Sequence, residues 1–275
     1  MSLVLDGKNN RWVVGEKKVA ETPVYSLYIC VDEAGEREYL LQIATDAKNN
    51  GTLARAVFNL GWLQRASDEM ERDDPGPEGR RRNIDRLFPQ VADEFLFVEQ
   101  GNRRVIILSV RDVPDVSTRL YALSRYRDQG GLRLDLRSSA WIMGRLLKLL
   151  GLTHSQGIAN NLLSGGNMLI SPDDHFLTVF DWTASTMHDA GIPGEVRRQE
   201  IATAAQAVFA SIGGDPATGD YPYHDDTDPD GRYVRLLWEM ASNPDRDAPT
   251  AHDRYYDLLD ELWGVKFHPF TTLPL

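Results

Sequence analysis

The most informative part of the sequence for the fold is 152-LTHSQGIANNLLSGGNMLI-170, together with 176-FLTVFDW-182 a few residues further on. The apolar residues up to Leu152 predict a helix that ends near Gly157, where a loop begins. Asn167 ends this loop and precedes an apolar strand, and Asp181 follows the next apolar strand after the turn 171–175. Between the helix and Asn167 the loop contains no aspartate or glutamate.

The composition is that of an ordinary globular protein. The chain has 275 residues, 42% of them hydrophobic and 26% charged, with a net charge of −11. A negative chain repels phosphate backbones and anionic lipid, so nucleic acid and membrane surfaces are not expected partners. No apolar run approaches the ~20 residues that span a bilayer and the N-terminus lacks a signal-like core, so a cytoplasmic location is the default.

The first hundred residues or so predict mainly strands. Five runs rich in β-branched and aromatic residues are expected to form an antiparallel sheet: 11–19, 24–32, 38–45, 93–100 and 103–110. Apolar residues at helical spacing in 53–70 predict one helix that interrupts this sheet.

Helices dominate the remainder of the chain. They are predicted at 138–153, 195–212, 231–242 and 250–264, with a strand pair at 167–170 and 176–181 between the first two. This order predicts an α+β protein with a β-rich N-terminal domain at 1–112 and a mainly helical C-terminal domain at 113–275.

The spacing of these residues resembles the protein kinase-like superfamily, in which a catalytic loop and a metal-binding aspartate follow one another in this order. The positions that match the superfamily phrase without a gap are Leu152, His154, Gly157, Ile158, Leu163 and Asn167. Asp181 falls on the metal-binding aspartate, and the pair Asp181-Trp182 is similar to aminoglycoside and choline kinase-type phosphotransferases. The resemblance implies a two-lobed kinase-like fold, with Asp181 and Asn167 as oxygen ligands for Mg²⁺ and as nucleotide-binding residues.

The sequence departs from the superfamily at positions that carry out phosphate binding and proton transfer in that superfamily. Leu162 occupies the position of the proton-accepting aspartate, so we expect no catalytic residue there. Gln42 occupies the position of the lysine that contacts the phosphates, although it remains a candidate nucleotide contact. The segment 17–27, where a glycine-rich phosphate loop is expected, contains no glycine.

Together these features favour a catalytically inactive kinase-like protein, a pseudokinase, that binds ATP with Mg²⁺ weakly or not at all. It would serve as a binding or regulatory module whose partner is another protein. An unconventional phosphotransferase or nucleotidyl transferase that uses Asp181 for metal is an alternative. Another is a small-molecule binding protein derived from a small-molecule kinase. Individual residues also have structural interpretations: Asp181 can cap a turn and Asn167 can bridge loop backbone groups. Leu162 is expected to pack inward.

Overall fold

The structure is a computed structural model that describes residues 3–8, 10–73, 83–128, 131–264 and 266–275. The chain divides into two compact units. Unit 1 comprises Met1–Leu120 and the returning segment Phe180–Ser185, and unit 2 comprises Tyr121–Val179 and Thr186–Leu275. The domain boundary between residues 112 and 113 stays a prediction.

Unit 1 is built on an antiparallel sheet. Its strands are β1 (Leu3–Asp6), β2 (Arg11–Glu21), β3 (Tyr25–Asp32), β4 (Glu38–Ala44), β5 (Gln90–Phe97) and β6 (Arg103–Ser109), in the order β1-β2-β3-β4-β6-β5. The five predicted strands are β2 to β6. The edge strand β1 was not predicted, because four residues give too short a pattern to separate from a polar terminus.

Apolar residues cover both faces of this sheet. In β6, Val105 and Ile107 join a buried cluster with residues from β1 to β4, while Ile106 and Leu108 alternate to the opposite face and are also buried. The long helix α1 (Asn50–Asp73) contacts β5 and β6. It buries four apolar residues at helical spacing, Leu53, Ala56, Leu60 and Leu63. A short helix, α2 (Val116–Arg119), lies close to the end of the unit's first segment.

Unit 2 is mainly helical, as predicted. Its helices are α3 (Arg125–Asp128), α4 (Leu136–Ser155), α5 (Gly194–Ser211), α6 (Arg232–Ser242) and α7 (Ala248–Trp263). The helix α4 packs against both α5 and α7, and α5 packs against α6. Since α4 contacts two other helices, most of its apolar residues are fully buried.

Short strand pairs connect these helices. The strands of unit 2 are β7 (Tyr121–Ala122), β8 (Leu132–Leu134), β9 (Ile158–Ala159), β10 (Met168–Ser171), β11 (Phe176–Val179), β12 (Thr186–Met187) and β13 (Thr272–Pro274). The predicted hairpin is formed by β10 and β11, with β7 added on the other side of β10. The strand β9, at the beginning of the loop that leads to Asn167, pairs with β12, which follows the segment Phe180–Ser185.

Within the described part of the chain, no helix combines the length and apolar character that crossing a membrane requires.

Candidate functional site

Asp181 lies in unit 1, where its carboxylate is fully engaged by other residues of that unit. Its Oδ1 accepts hydrogen bonds from the backbone nitrogen and the hydroxyl of Thr183, each at 2.8 Å. Its Oδ2 accepts a hydrogen bond from the Tyr25 hydroxyl at 2.7 Å. Asp181 is only 7% exposed, so this carboxylate meets protein donors and little water. The first two bonds form the turn that sequence reasoning offered as the structural role of Asp181.

Tyr25 is the partner that sequence reasoning missed. It begins β3 and is 2% exposed. Burial raises the pKa of the Tyr25 hydroxyl well above its ordinary value, and the negative charge of Asp181 raises it further. The hydroxyl therefore stays protonated and remains a donor to Asp181 throughout the physiological range.

Gln42 lies in β4 beside the same tyrosine. It is 1% exposed, and its amide is close enough to the Tyr25 hydroxyl to oppose the rise in that pKa. Its buried Nε2 nevertheless has no hydrogen-bond partner of ordinary geometry among the described residues. We take the contact with Tyr25 as weak, because a neutral amide at poor geometry contributes little. Gln42 brings no positive charge to Asp181.

The residues after Asp181 are packed into the same unit. Trp182 is 1% exposed and its ring lies edge-on to Phe88, with ring centres 6.4 Å apart. Asn59 of α1 donates a hydrogen bond from Nδ2 to the Ser185 hydroxyl at 2.9 Å. Apolar and polar contacts therefore both hold the segment 181–185, and with it the carboxylate of Asp181, against unit 1.

The loop of unit 2 is organised by a second buried carboxylate, that of Glu200 in α5. Its Oε1 accepts a hydrogen bond from the backbone nitrogen of Asn161 at 2.7 Å, and its Oε2 lies 2.9 Å from His154 Nε2. Asn161 adopts a left-handed backbone with φ of 62°, a conformation that asparagine tolerates better than most residues. Glu200 therefore ties the loop to the helix core from one side.

Asn167 and Leu162 meet in the same loop. Asn167 donates from Nδ2 to the Leu162 carbonyl at 3.1 Å, and its backbone nitrogen donates to the Ser164 carbonyl at 2.9 Å. These contacts match the alternative in which Asn167 bridges loop backbone groups. Leu162 itself is half-buried, whereas Leu163 is 2% exposed. Leu163, and not Leu162, therefore makes the buried contact that was expected of Leu162.

The structure brings together some of the predicted residues and separates others between the units. Gln42 and Asp181 belong to unit 1, linked through Tyr25, while Asn167 and Leu162 belong to unit 2. The nucleotide and metal roles of Gln42, Asn167 and Asp181 stay predictions. Among the described residues, no three or more His, Cys, Asp or Glu side chains form a group that could hold a metal ion.

Comparison with known proteins places the fold. No protein-family model and no curated protein sequence matches the chain. Among solved structures, vaccinia related kinase 3 is similar with a TM-score of 0.62 and 13% identity, covering 98% of this chain and 94% of that one. The BubR1 kinase domain gives a TM-score of 0.59 at 10% identity, covering 94% of this chain and 83% of that one.

A third similar structure is a double mutant of the PknI kinase domain of Mycobacterium tuberculosis. Its TM-score is 0.54 at 13% identity, and the match covers 90% of this chain and 95% of that chain. The chain therefore has a protein kinase-like fold. Sequence identities this low establish the fold, and the chemistry has to be argued from the residues of this chain.

Proposed function

We propose that the chain is a pseudokinase: a catalytically inactive kinase-like protein that binds ATP weakly or not at all and serves as a protein-binding or regulatory module. The observation that carries the proposal is the state of Asp181. Both of its carboxylate oxygens are engaged by Tyr25 and Thr183. A magnesium ligand needs those oxygens for the ion and its waters.

The energies favour the hydrogen-bonded state of this carboxylate. A hydrogen bond to a charged group contributes about 1.5 to 3 kcal/mol, and a metal that took either oxygen would have to replace such bonds. The neutral Gln42 supplies none of the attraction for phosphate that a lysine gives. With Leu162 at the position where the resemblance implies a base, the chain lacks the usual acceptor for a substrate proton.

An exposed aromatic pair supports the protein-binding part of the proposal. Phe58 and Trp62 lie one helical turn apart on α1 and are 55% and 40% exposed. Their rings are stacked with centres 6.3 Å apart, and the Arg65 guanidinium lies 5.3 Å from the Trp62 ring centre. Aromatic and arginine side chains dominate the centres of protein interfaces, so this face of α1 suits a protein partner.

Calorimetry with ATP and Mg²⁺ tests the nucleotide part. We expect affinity at least about tenfold to a hundredfold below that of an ordinary kinase, since the cationic and glycine-loop contacts are replaced. Tyr25→Phe frees one oxygen of Asp181 and should increase any Mg²⁺-dependent binding, whereas the matched control Tyr28→Phe on the same strand should leave it unchanged. A dissociation constant in the low micromolar range for the parent chain that Asp181→Asn weakens would contradict the proposal.

Incubation with labelled ATP and Mg²⁺ or Mn²⁺ tests the remaining part. Transfer of label to protein or a small molecule that is lost in Asp181→Asn would establish the phosphotransferase or nucleotidyl transferase alternative in its place. For the binding role, Trp62→Ala should remove a co-purifying protein partner, and Leu96→Ala, which alters another exposed apolar side chain in unit 1, should retain it.

A further inference from the structure

A cavity in unit 2 has a lining whose charge is opposite to that of the whole chain. It encloses about 310 Å³ between α4, α7 and the segment that follows α7. Among the described residues, four arginine or lysine side chains line it, Arg137, Arg145, Lys148 and Lys266, together with one carboxylate, that of Asp260. In a chain of net charge −11, this local excess of positive charge has to be built by specific placement of residues.

The helix α4 produces this arrangement through its periodicity. Arg137, Arg145 and Lys148 recur on one face of α4, and between them Ala140 and Gly144 are too small to fill the space. A side chain built on Gly144 would meet the rings of Tyr255 and Tyr256 at 3.8 to 3.9 Å. Ala140 and Gly144 therefore form the floor of the cavity, and the basic side chains surround it.

Aromatic rings form the walls. Trp141 lies against His175 with ring centres 4.2 Å apart, and His175 lies 5.3 Å from Phe267. Phe267 is 80% exposed at this position, an unusual cost for an apolar ring. On the other side, the Lys148 ammonium lies 5.2 Å from the Tyr256 ring centre. Flat rings on two sides leave room for a third flat ring between or above them.

Two further observations concern the basic side chains of the cavity. The Nε of Arg137 is buried without a hydrogen-bond partner among the described residues, and its guanidinium lies 5.8 Å from the Trp263 ring centre. Burial lowers the pKa of His175, and His268 and Arg145, which also line the cavity, lower it further. Because the His268 ring lies 3.1 Å from the Asp135 carboxylate, the attraction for an anion comes mainly from the arginine and lysine side chains.

From this geometry we propose that the cavity binds a small organic anion that joins an aromatic ring to a phosphate group. The volume is at the lower end of the range of about 300 to 1,000 Å³ that ligand sites occupy, which suits a small molecule. The cations recognise the phosphate, while Trp141, Phe267 and Tyr256 contact the ring. The site lies wholly in unit 2, and the proposal is independent of the one made for Asp181 in unit 1.

Calorimetry on the full chain with phenyl phosphate tests the proposal, with inorganic phosphate and phenol as separate comparators. We expect phenyl phosphate to bind at least about tenfold more tightly than either comparator, because ring and phosphate are both recognised. Affinity should fall as salt is raised. No binding of phenyl phosphate, or equal binding of inorganic phosphate, would overturn the proposed ligand class.

Charge-neutralising variants locate the site. Lys148→Gln should weaken phenyl phosphate binding about tenfold, the effect of one lost charge-assisted contact. Lys266→Gln should weaken phenyl phosphate binding by a similar factor. Because Lys266 is exposed, this substitution should leave the folding of the chain unaffected. The matched control is Arg127→Gln, another exposed cation of unit 2. Equal losses in the control and the two cavity variants would show general charge attraction and overturn the site.

Two other ligands, an acidic peptide and ATP, distinguish a small-molecule site in this cavity from the alternative sites. An acidic peptide that binds in a Lys148-dependent manner while phenyl phosphate does not would overturn the small-molecule proposal in favour of a docking surface for protein. ATP also joins a ring to phosphate, so ATP binding that depends on Lys148 and is unchanged in Asp181→Asn would support this cavity. That result would leave the proposal for Asp181 standing.

Discussion

Two buried carboxylates, Glu200 in unit 2 and Asp181 in unit 1, hold two neighbouring parts of the sequence in different ways. Glu200 is 4% exposed and binds the loop through the backbone of Asn161 and the ring of His154. Asp181 is 7% exposed and binds Thr183 and the hydroxyl of Tyr25. Both carboxylates accept a hydrogen bond from a backbone nitrogen, that of Asn161 for Glu200 and that of Thr183 for Asp181. They differ in their other partners, which are a histidine ring for Glu200 and two hydroxyl groups for Asp181.

The two carboxylates therefore share one structural role and differ in the other donors that they accept. A buried backbone nitrogen without an acceptor costs about 1 to 3 kcal/mol, so each acid stabilises the segment whose backbone nitrogen it accepts. Gln42 is a buried neutral amide in unit 1, and Leu162 is a half-buried apolar side chain in unit 2. Neither of these two side chains carries a charge.

Removing Glu200 should have the largest effect. Glu200→Ala leaves the Asn161 backbone nitrogen and His154 without their acceptor, so we expect a loss of about 3 kcal/mol in unfolding free energy. Urea unfolding of the purified chain measures it. Glu200→Gln keeps a carbonyl oxygen for Asn161 and should cost about half as much. An alanine variant within about 1 kcal/mol of the parent would show that the loop does not depend on this acid.

The Asp181 turn should give a smaller, coupled effect. Asp181→Asn weakens the bonds to Tyr25 and Thr183 and should cost about 2 kcal/mol, and Tyr25→Phe about 1 kcal/mol. Since the two residues share one hydrogen bond, the double variant should be more stable than additivity predicts by about 1 kcal/mol. Urea unfolding of the four proteins in this cycle gives the coupling energy. Strict additivity would mean that the hydroxyl and the carboxylate do not interact.

The sequence predicted most of the fold and only part of this site. Strands β2 to β6, α1 and the four long helices of unit 2 follow from periodicity, because each buries one apolar face. Asp181 and Asn167 were found by their spacing, and their turn and loop contacts were among the alternatives. The hydrogen bond of Tyr25 to Asp181 was not predicted from the sequence. An aromatic residue in a strand is most simply interpreted as a core residue, and Asp181 lies 156 positions away.

The basic cavity illustrates a second limit of sequence reasoning. Arg137, Arg145 and Lys148 show their helical spacing in the sequence, but a row of cations on a helix usually faces solvent. Only the packing of α7 against α4 shows that the row lines a cavity together with Trp141 and Tyr256. Tertiary contacts of this kind leave no periodic signal in either helix.

Leu162 and Leu163 allow a half-buried and a buried position of the same loop to be compared. Because Leu162 is half-buried and Leu163 carries the buried contact, Leu162→Asp should cost less than about 1 kcal/mol, whereas Leu163→Asp should cost about 3 kcal/mol or more. Urea unfolding of the two variants compares neighbouring positions in the same loop. Equal costs would mean that Leu162 is as deeply packed as the residue after it.

The smallest expected effect concerns the pH dependence of the unfolding free energy. It tests whether His175, which lies outside both carboxylate regions, contributes to the loss of stability at acidic pH. His175 lies in the turn between β10 and β11, where burial and the nearby charges of His268 and Arg145 lower its pKa below the ordinary value of 6.5. The unfolded chain therefore binds this proton more readily than the folded chain, and stability falls as pH drops below about 6.5. In His175→Gln, the decrease in urea midpoint between about pH 7.5 and 5.5 should be smaller than in the parent. The exposed control His224→Gln should keep the parental decrease, and an unchanged decrease in His175→Gln would place the acid-sensitive group elsewhere.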